Sequence, residues 1–241
     1  GLSPDSVVYI GAARSLLAGH GFSLPGEPAL FLPITHYPPL YSSLLALIGT
    51  LAGDPLDGAI WLNVAAFSTN IYVAGFLLFA VLGSWQLALL GSLFTLTAFP
   101  LVQAHTMAWS EAMFIMLELL SILLLLRYVE KSRTTSLLLA SAVAGLSLLC
   151  RYAGLALVAS GILGILFLGA REQRDKLIDA GIFSGIAVLP MALWAARNWH
   201  FGGAIFNRTV SFHPIGLEKI FEIPAVLAGW FSFWLLTYDA R

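Results

Sequence analysis

An all-α, polytopic integral membrane helix bundle is the fold class this sequence predicts, and three observations predict it. Apolar residues make up 59% of the 241 positions and charged residues 10%, with a mean hydropathy of +0.88, whereas a soluble domain averages about 45–50% apolar and about 25% charged. Apolar runs able to cross ~30 Å of hydrocarbon at 1.5 Å per residue recur at about 56–82, 85–104, 109–127, 134–150, 153–170, 178–198 and 223–238. The basic residues are placed unevenly between those runs. Arg127, Lys131 and Arg133 lie between the third and fourth, and Arg171, Arg174 and Lys176 between the fifth and sixth. Six of the twelve Lys and Arg therefore occupy two short loops of the same parity, which the positive-inside rule assigns to the cytoplasmic side.

Gly1 to Tyr41 is the longest stretch that is not hydrophobic helix. Ser3 can cap a helix whose first turn begins at Pro4, where a fixed φ and a missing N–H suit the position, and Gly19 or Gly21 can end it. Asp5 then sits in the first turn, where the helix dipole favours an ionised acid. A Gly/Pro-rich connection follows. Thr35-His36-Tyr37 next leads into Pro38-Pro39, which disfavours helix before it and allows one to start there. The segment reads as helix, loop, helix. The run Pro39 to Leu51 is too short for a span and reads as a juxtamembrane helix that does not cross. Residues 1–52 are thus expected to form a first extracytoplasmic loop carrying amphipathic juxtamembrane helices, and 53–241 a bundle of about seven spans. No signal peptide or initiator Met opens the chain and its end comes off an apolar run, so a fragment is expected, missing its first transmembrane helix and a C-terminal part.

On this topology one face receives Gly1 to Tyr37, His105 to Glu111, Arg151-Tyr152 and Arg197 to Glu222. Asp5, Glu111, Arg151, Arg197 and the histidines at 20, 36, 105, 200 and 213 converge there. A chain using its spans only as an anchor has no reason to gather its isolated polar groups this way.

Each of these residues also has a plain structural explanation. Glu111 suits the first turn of a helix capped by Ser110, and it is the other acid at the outer mouth of a span with no basic partner beside it in sequence. Glu118, two turns deeper on the same face, costs ~2.5–3.5 kcal/mol to insert; a buried structural hydrogen bond is expected for it, with a proton path as the alternative. Arg151 and Arg197 end spans on the outer face, against the positive-inside preference. They either snorkel to headgroups or bind a phosphate, which forked guanidinium donors do well.

Other chemistries find little support. Asn207-Arg208-Thr209 is a short sequon pattern. The histidine spacing does not support zinc, so no metal ligand is named; no cofactor is implied, a divalent cation being left open. Cys150 is single and excludes an intrachain disulfide. There is no Walker sequence, no GxGxxG and no basic patch for nucleic acid.

Pro4-Asp5-Ser6-Val7-Val8-Tyr9, then Ala12 through Gly21, then His36-Tyr37-Pro38-Pro39-Leu40-Tyr41 resembles the first extracytoplasmic loop of polytopic glycosyltransferases of the GT-C fold, in the protein-mannosyltransferase and aminoarabinose-transferase-like group. Ser110-Glu111, Arg151-Tyr152 and Arg197-Asn198 followed by Phe201-Gly202 recur at matching places. The resemblance implies that Asp5 is the catalytic residue and that the donor is a sugar on a polyprenyl phosphate. The Pro-Pro helix would lie along the membrane surface. The chain departs from the pattern in having one acid at Asp5, not a pair, and in carrying His36 before the Pro-Pro.

The expectation is therefore a hexosyl or pentosyl transferase of the bacterial inner membrane, acting at the extracytoplasmic face on a lipid, glycan or protein acceptor. Asp5 would be the general base. His36, Arg151 and Arg197 would stand at the donor phosphate, and Tyr9, Tyr37 and Glu111 are further site candidates. Membrane lipids are expected partners and nucleic acid is not. A transporter or flippase subunit is the alternative, favoured by the intramembrane Glu118 and the helix glycines. The polar groups cluster at one interface, however, and not at the midplane, and no inverted repeat is visible. An assembly protein without activity is a third reading.

Overall fold

Ser3 starts the first helix through a reciprocal cap. Its Oγ accepts from the Ser6 N–H, and the Ser6 hydroxyl accepts from the Ser3 N–H, a capping box with Ser in place of the usual Glu. Pro4 occupies the first helical position, and the helix, α1 (Pro4–Leu17), closes at Gly19. There φ is +79°, with Gly19 N–H bonded to Leu16 O and His20 N–H to Ser15 O; this pair of bonds is the Schellman closure, which needs the left-handed residue that glycine supplies. The computed structural model describes residues 1–26, 30–202 and 216–231.

The connection expected to be a loop contains an antiparallel hairpin, β1 (Ser23–Gly26) paired with β2 (Leu30–Pro33) in the register Ser23 opposite Pro33 and Gly26 opposite Leu30. The order is therefore helix, hairpin, helix. Pro25 and Pro33 lack the N–H that would extend the ladder, which keeps the sheet at two short strands. The hairpin is seated by Phe22 and Ile34 packed on Ala12 of α1.

α2 (Leu40–Ala52) begins directly after Pro38-Pro39 and lies along α1. The two are tied at both ends: Tyr37 bonds Asp5 at one, and at the other Arg14 forks onto Asp54 through Nε at 3.1 Å and Nη2 at 3.0 Å. Asp54 also caps α3 (Pro55–Leu82) by accepting from the Leu56 N–H at 2.8 Å. Then come α4 (Trp85–Thr97) and α5 (Phe99–Thr106), bent by 54° at the break before Pro100. They are followed by α6 (Glu111–Lys131), α7 (Thr134–Cys150), α8 (Gly154–Leu168), α9 (Gln173–Gly202) and α10 (Leu217–Phe231).

Among the described residues, three helices are long and apolar enough to cross a membrane, α3, α6 and α9, with the bent α4–α5 pair as a fourth. The runs 134–150 and 153–170 become α7 and α8, which have 17 and 15 residues and so reach only ~25 and ~22 Å. Part of the run 223–238 lies outside the described residues. Short as they are, α7 and α8 run between the same two ends of the bundle as α6 and α9. At one end Arg151 bonds Ser110 and pairs with Glu111. At the other, Arg171 donates to the Ser132 carbonyl and to buried Asp179, which also accepts from the Tyr128 hydroxyl. Helices α6 to α9 therefore alternate in direction, as the basic loops require. Small residues permit the close packing that holds bundles together in lipid: a Cβ at Gly145 of α7 would lie 3.0 Å from the Ala187 carbonyl oxygen of α9.

Candidate active site

The site is assembled where α1 meets the segment before α2 and the junctions α5–α6 and α7–α8. Asp5, exposed in the first turn of α1, accepts from the Tyr37 hydroxyl at 2.6 Å. Tyr37 can reach it because each proline keeps the residue before it out of helical conformation, so the chain turns helical only at Pro39 (φ −86°, ψ −19°) and α2 begins after it. One turn after Asp5 and on the same face, Tyr9 is buried edge-on against Tyr37 and Tyr41, with ring centroids 5.2 and 5.0 Å away. Burial pushes the Tyr9 phenol up to about 12, so the hydroxyl stays protonated at neutral pH. It shares a hydrogen bond of 3.0 Å with Ser110 Oγ.

Ser110 is the hub. It stands at the N-cap position of α6, as expected, but its side chain makes no cap bond. Its hydroxyl instead faces Tyr9 and accepts from Arg151 Nη1 at 3.0 Å. The Cys150 thiol donates to its carbonyl at 3.5 Å. The same segment is pinned to the start of α1 by the Trp109 indole donating to Ser3 Oγ and by the Ala108 N–H bonded to Gly1 O. Arg151 Nη1 also lies 2.6 Å from Glu111 Oε1. Glu111 thus has in space the basic partner it lacked in sequence, which makes it a poorer reserve base. Asp5, Tyr9, Tyr37, Cys150, Arg151 and Tyr152 line one cavity of about 190 Å³. It holds a carboxylate able to take a proton and the Arg151 guanidinium, whose Nη1 is shared with Glu111 outside the lining while its other donors can meet an oxyanion.

The remaining candidates fall elsewhere. His36 packs its ring against Tyr37, centroids 4.6 Å apart, without lining the cavity. Arg197 donates through Nη1 to Ile34 O at 2.7 Å and to Asn198 Oδ1 at 3.1 Å, and through Nη2 to Phe22 O at 3.1 Å, and its guanidinium stacks over Trp194. It clamps the two ends of the hairpin onto α9 and is not beside Arg151. His105 is buried between the Leu101 carbonyl and Asn70, His20 stacks on Phe31 and His200 meets Phe201. His213 and the Asn207-Arg208-Thr209 sequon lie outside the described residues.

Glu118 has no hydrogen bond or ion pair among the described residues, in place of the buried bond expected. It opens on an apolar cavity of about 410 Å³ between α6 and α8. Among the described residues no three His, Cys, Asp or Glu side chains gather to hold a metal ion. Sequence reasoning missed the hub role of Ser110 and the Arg14–Asp54 pair. The signal for the first was Ser110 standing next to Glu111 with Arg151 on the same face. The second had no local signal, since its partners are 40 residues apart.

Comparison with curated proteins and with solved structures finds no match. The family model of the dolichyl-phosphate-mannose-protein mannosyltransferases matches residues 36–194. That covers Tyr37, Glu111, Arg151 and the helices from α2 to most of α9, and leaves Asp5 and Arg197 outside. With well over half of the chain matched and its helices those of a membrane bundle, the protein belongs to the dolichyl-phosphate-mannose-protein mannosyltransferase family and is an integral membrane glycosyltransferase of the GT-C type.

Proposed function

We propose that the protein transfers a sugar from a polyprenyl-phosphate donor to an acceptor hydroxyl of a lipid, glycan or protein, at the extracytoplasmic face of a bacterial inner membrane. The observation that carries this reading is the shared cavity of Asp5 and Arg151. Asp5 accepts the proton of the attacking hydroxyl as the new glycosidic bond forms. The donor's sugar–phosphate bond breaks and its electron pair goes to the phosphate, whose charge Arg151 balances. Tyr37 orients the carboxylate, and Tyr9 with Ser110 holds the guanidinium. His36, beside Tyr37, flanks the donor's approach, and Arg197 acts on the site by seating the hairpin. Residues 1–52 form the extracytoplasmic loop, with α2 lying along the surface, since both its ends are tied to α1 and neither to the far end of the bundle. The helices from α3 onward form the transmembrane part.

The test is a transfer assay on membranes holding the protein, with a panel of polyprenyl-phosphate sugars and, separately, soluble nucleotide sugars. Product from one or more lipid-linked donors, lost when Asp5 is changed to Asn, is the expected result. Transfer only from nucleotide sugars, or none from any donor by a folded protein, overturns the proposal.

A further inference from the structure

At the end of the bundle opposite Asp5, α3, α6 and α7 leave a cavity of about 360 Å³ whose polar lining is Arg127, Glu130, Lys131, Arg133 and Ser136, with Phe76 on its apolar side. Three cations face one carboxylate. Among the described residues none of these four charged side chains has an ion-pair or hydrogen-bond partner. Arg127 lies over the Phe76 ring, 5.9 Å from its centroid, a contact that holds a guanidinium without consuming its donors. Lys131 is one turn further on the same face of α6. Arg133 occupies the N-cap of α7 with no side chain capping that helix, and Ser136 lines the cavity from its first turn, where exposed N–H groups favour an anion.

The turn presenting these groups is braced by hydrogen bonds. Ser132 is the one non-glycine residue at positive φ among the described residues, at 49°, a conformation that most residues avoid. Its carbonyl accepts from Arg171 Nη2 at 3.4 Å, while Arg171 is braced on Asp179, which also takes the Tyr128 hydroxyl. The two-residue turn that sets Arg133 beside Lys131 is thus tied through Arg171 to Asp179 on α9.

We propose that this cavity binds the phosphate of an anionic phospholipid in the leaflet at that end of the bundle. The cations stand at the end of a helix long enough to cross the membrane, the level of headgroup phosphates. Toward the middle of the bundle the lining turns apolar, with Phe76 on α3 and Leu123 and Leu126 on α6, and exposed Tyr72 and Ile122 follow about a turn deeper, a polar-to-apolar gradient that matches a headgroup with its acyl chains. Basic pockets between transmembrane helices are suited to such headgroups.

The experiment is native mass spectrometry of the purified, delipidated protein titrated with phosphatidylglycerol, with phosphatidylcholine, and with inorganic phosphate at millimolar concentration. Phosphatidylglycerol adducts are expected well below the concentration needed for phosphatidylcholine. Each basic side chain near an anionic surface strengthens binding roughly fivefold, so R127Q/K131Q/R133Q should weaken binding about 10²-fold, while R174Q/K176Q, outside the cavity, should not. Should the triple variant fail to fold, R127Q and K131Q singly are expected to lose roughly fivefold each. Equal phosphatidylglycerol binding by parent and cavity variants overturns the proposal. Equal preference for inorganic phosphate overturns the lipid and assigns the site to a soluble phosphate.

Discussion

Replacing Asp5 by Asn separates a catalytic carboxylate from a merely favourable first-turn acid, because the two differ in size. Asn keeps an oxygen that can accept from the Tyr37 hydroxyl, now 2.6 Å away. The bond changes from charge-assisted to neutral, a loss of ~1 kcal/mol, and the first turn loses ~0.3–1 kcal/mol of dipole interaction. Neither loss detaches α1, which is held by the Ser3–Ser6 capping box, the closure at Gly19 and the buried Tyr9 and Ile10. A structural role for Asp5 therefore leaves the rate nearly unchanged at temperatures where the protein stays folded. A general base lost from the reaction costs ~10²–10⁴ in rate, about 2.7–5.4 kcal/mol of barrier.

The assay is the initial rate of sugar transfer in membranes at saturating lipid-linked donor, normalised to protein abundance. Asp5→Asn retaining more than about a tenth of the parent rate would refute the assignment. A double-mutant cycle with Tyr37→Phe extends the test. If Tyr37 acts by orienting the carboxylate, its removal lowers the rate in the parent and has little further effect in Asp5→Asn. Equal effects in both backgrounds would give Tyr37 a separate role.

Arg151→Gln is expected to raise the donor KM tenfold or more with abundance preserved; an unchanged KM would return Arg151 to a purely structural pairing with Glu111. Ser110→Ala strands the buried Tyr9 hydroxyl, at a cost of ~1–3 kcal/mol, and should lower thermal stability and donor use together. Tyr9→Phe should affect both less, since Ser110 keeps Arg151 as its partner. Arg14 beside Asp54 holds that carboxyl below its ordinary range, so the pair's contribution is complete above about pH 5 and is lost as pH falls through the depressed value. Arg14→Gln should therefore cost no more than ~1 kcal/mol, exposed as the pair is, with the difference from parent vanishing in acid. In a Cys150→Ala background, single cysteines at exposed Leu32 and at Arg174 should be labelled from opposite sides of the membrane, Leu32 from outside. Labelling of both from one side would refute the alternating topology.

Chain order and composition alone determined what depends on near neighbours or on transfer to lipid. The cap at Ser3, the proline at position 4 and the closing glycine act within four residues, so α1 was readable to within a residue or two. The membrane class follows from hydropathy, and the alternation of α6 to α9 from the two basic loops; both are sums over many residues and tolerate local error. The grouping of Asp5, Tyr9, Tyr37, Glu111 and Arg151 at one end followed from that alternation together with the run 39–51 being too short to cross. What each does there did not.

Only the tertiary structure decided that Ser110 serves Tyr9 and Arg151 instead of capping its own helix, since those partners lie 101 and 41 residues away and a hydroxyl oxygen turned towards them is not aimed at the N–H groups of its own helix. Only it separated Arg197 from Arg151. The two arginines look alike in sequence, each ending an apolar run on the same face, but the Phe22 and Ile34 carbonyls meet Arg197 across 175 and 163 residues. Those carbonyls exist as a pair because a short hairpin formed where sequence indicated a loop. Strands of four residues carry too little periodicity to be seen, and this one is secured by a guanidinium from the far end of the chain, a contact that local pattern does not encode.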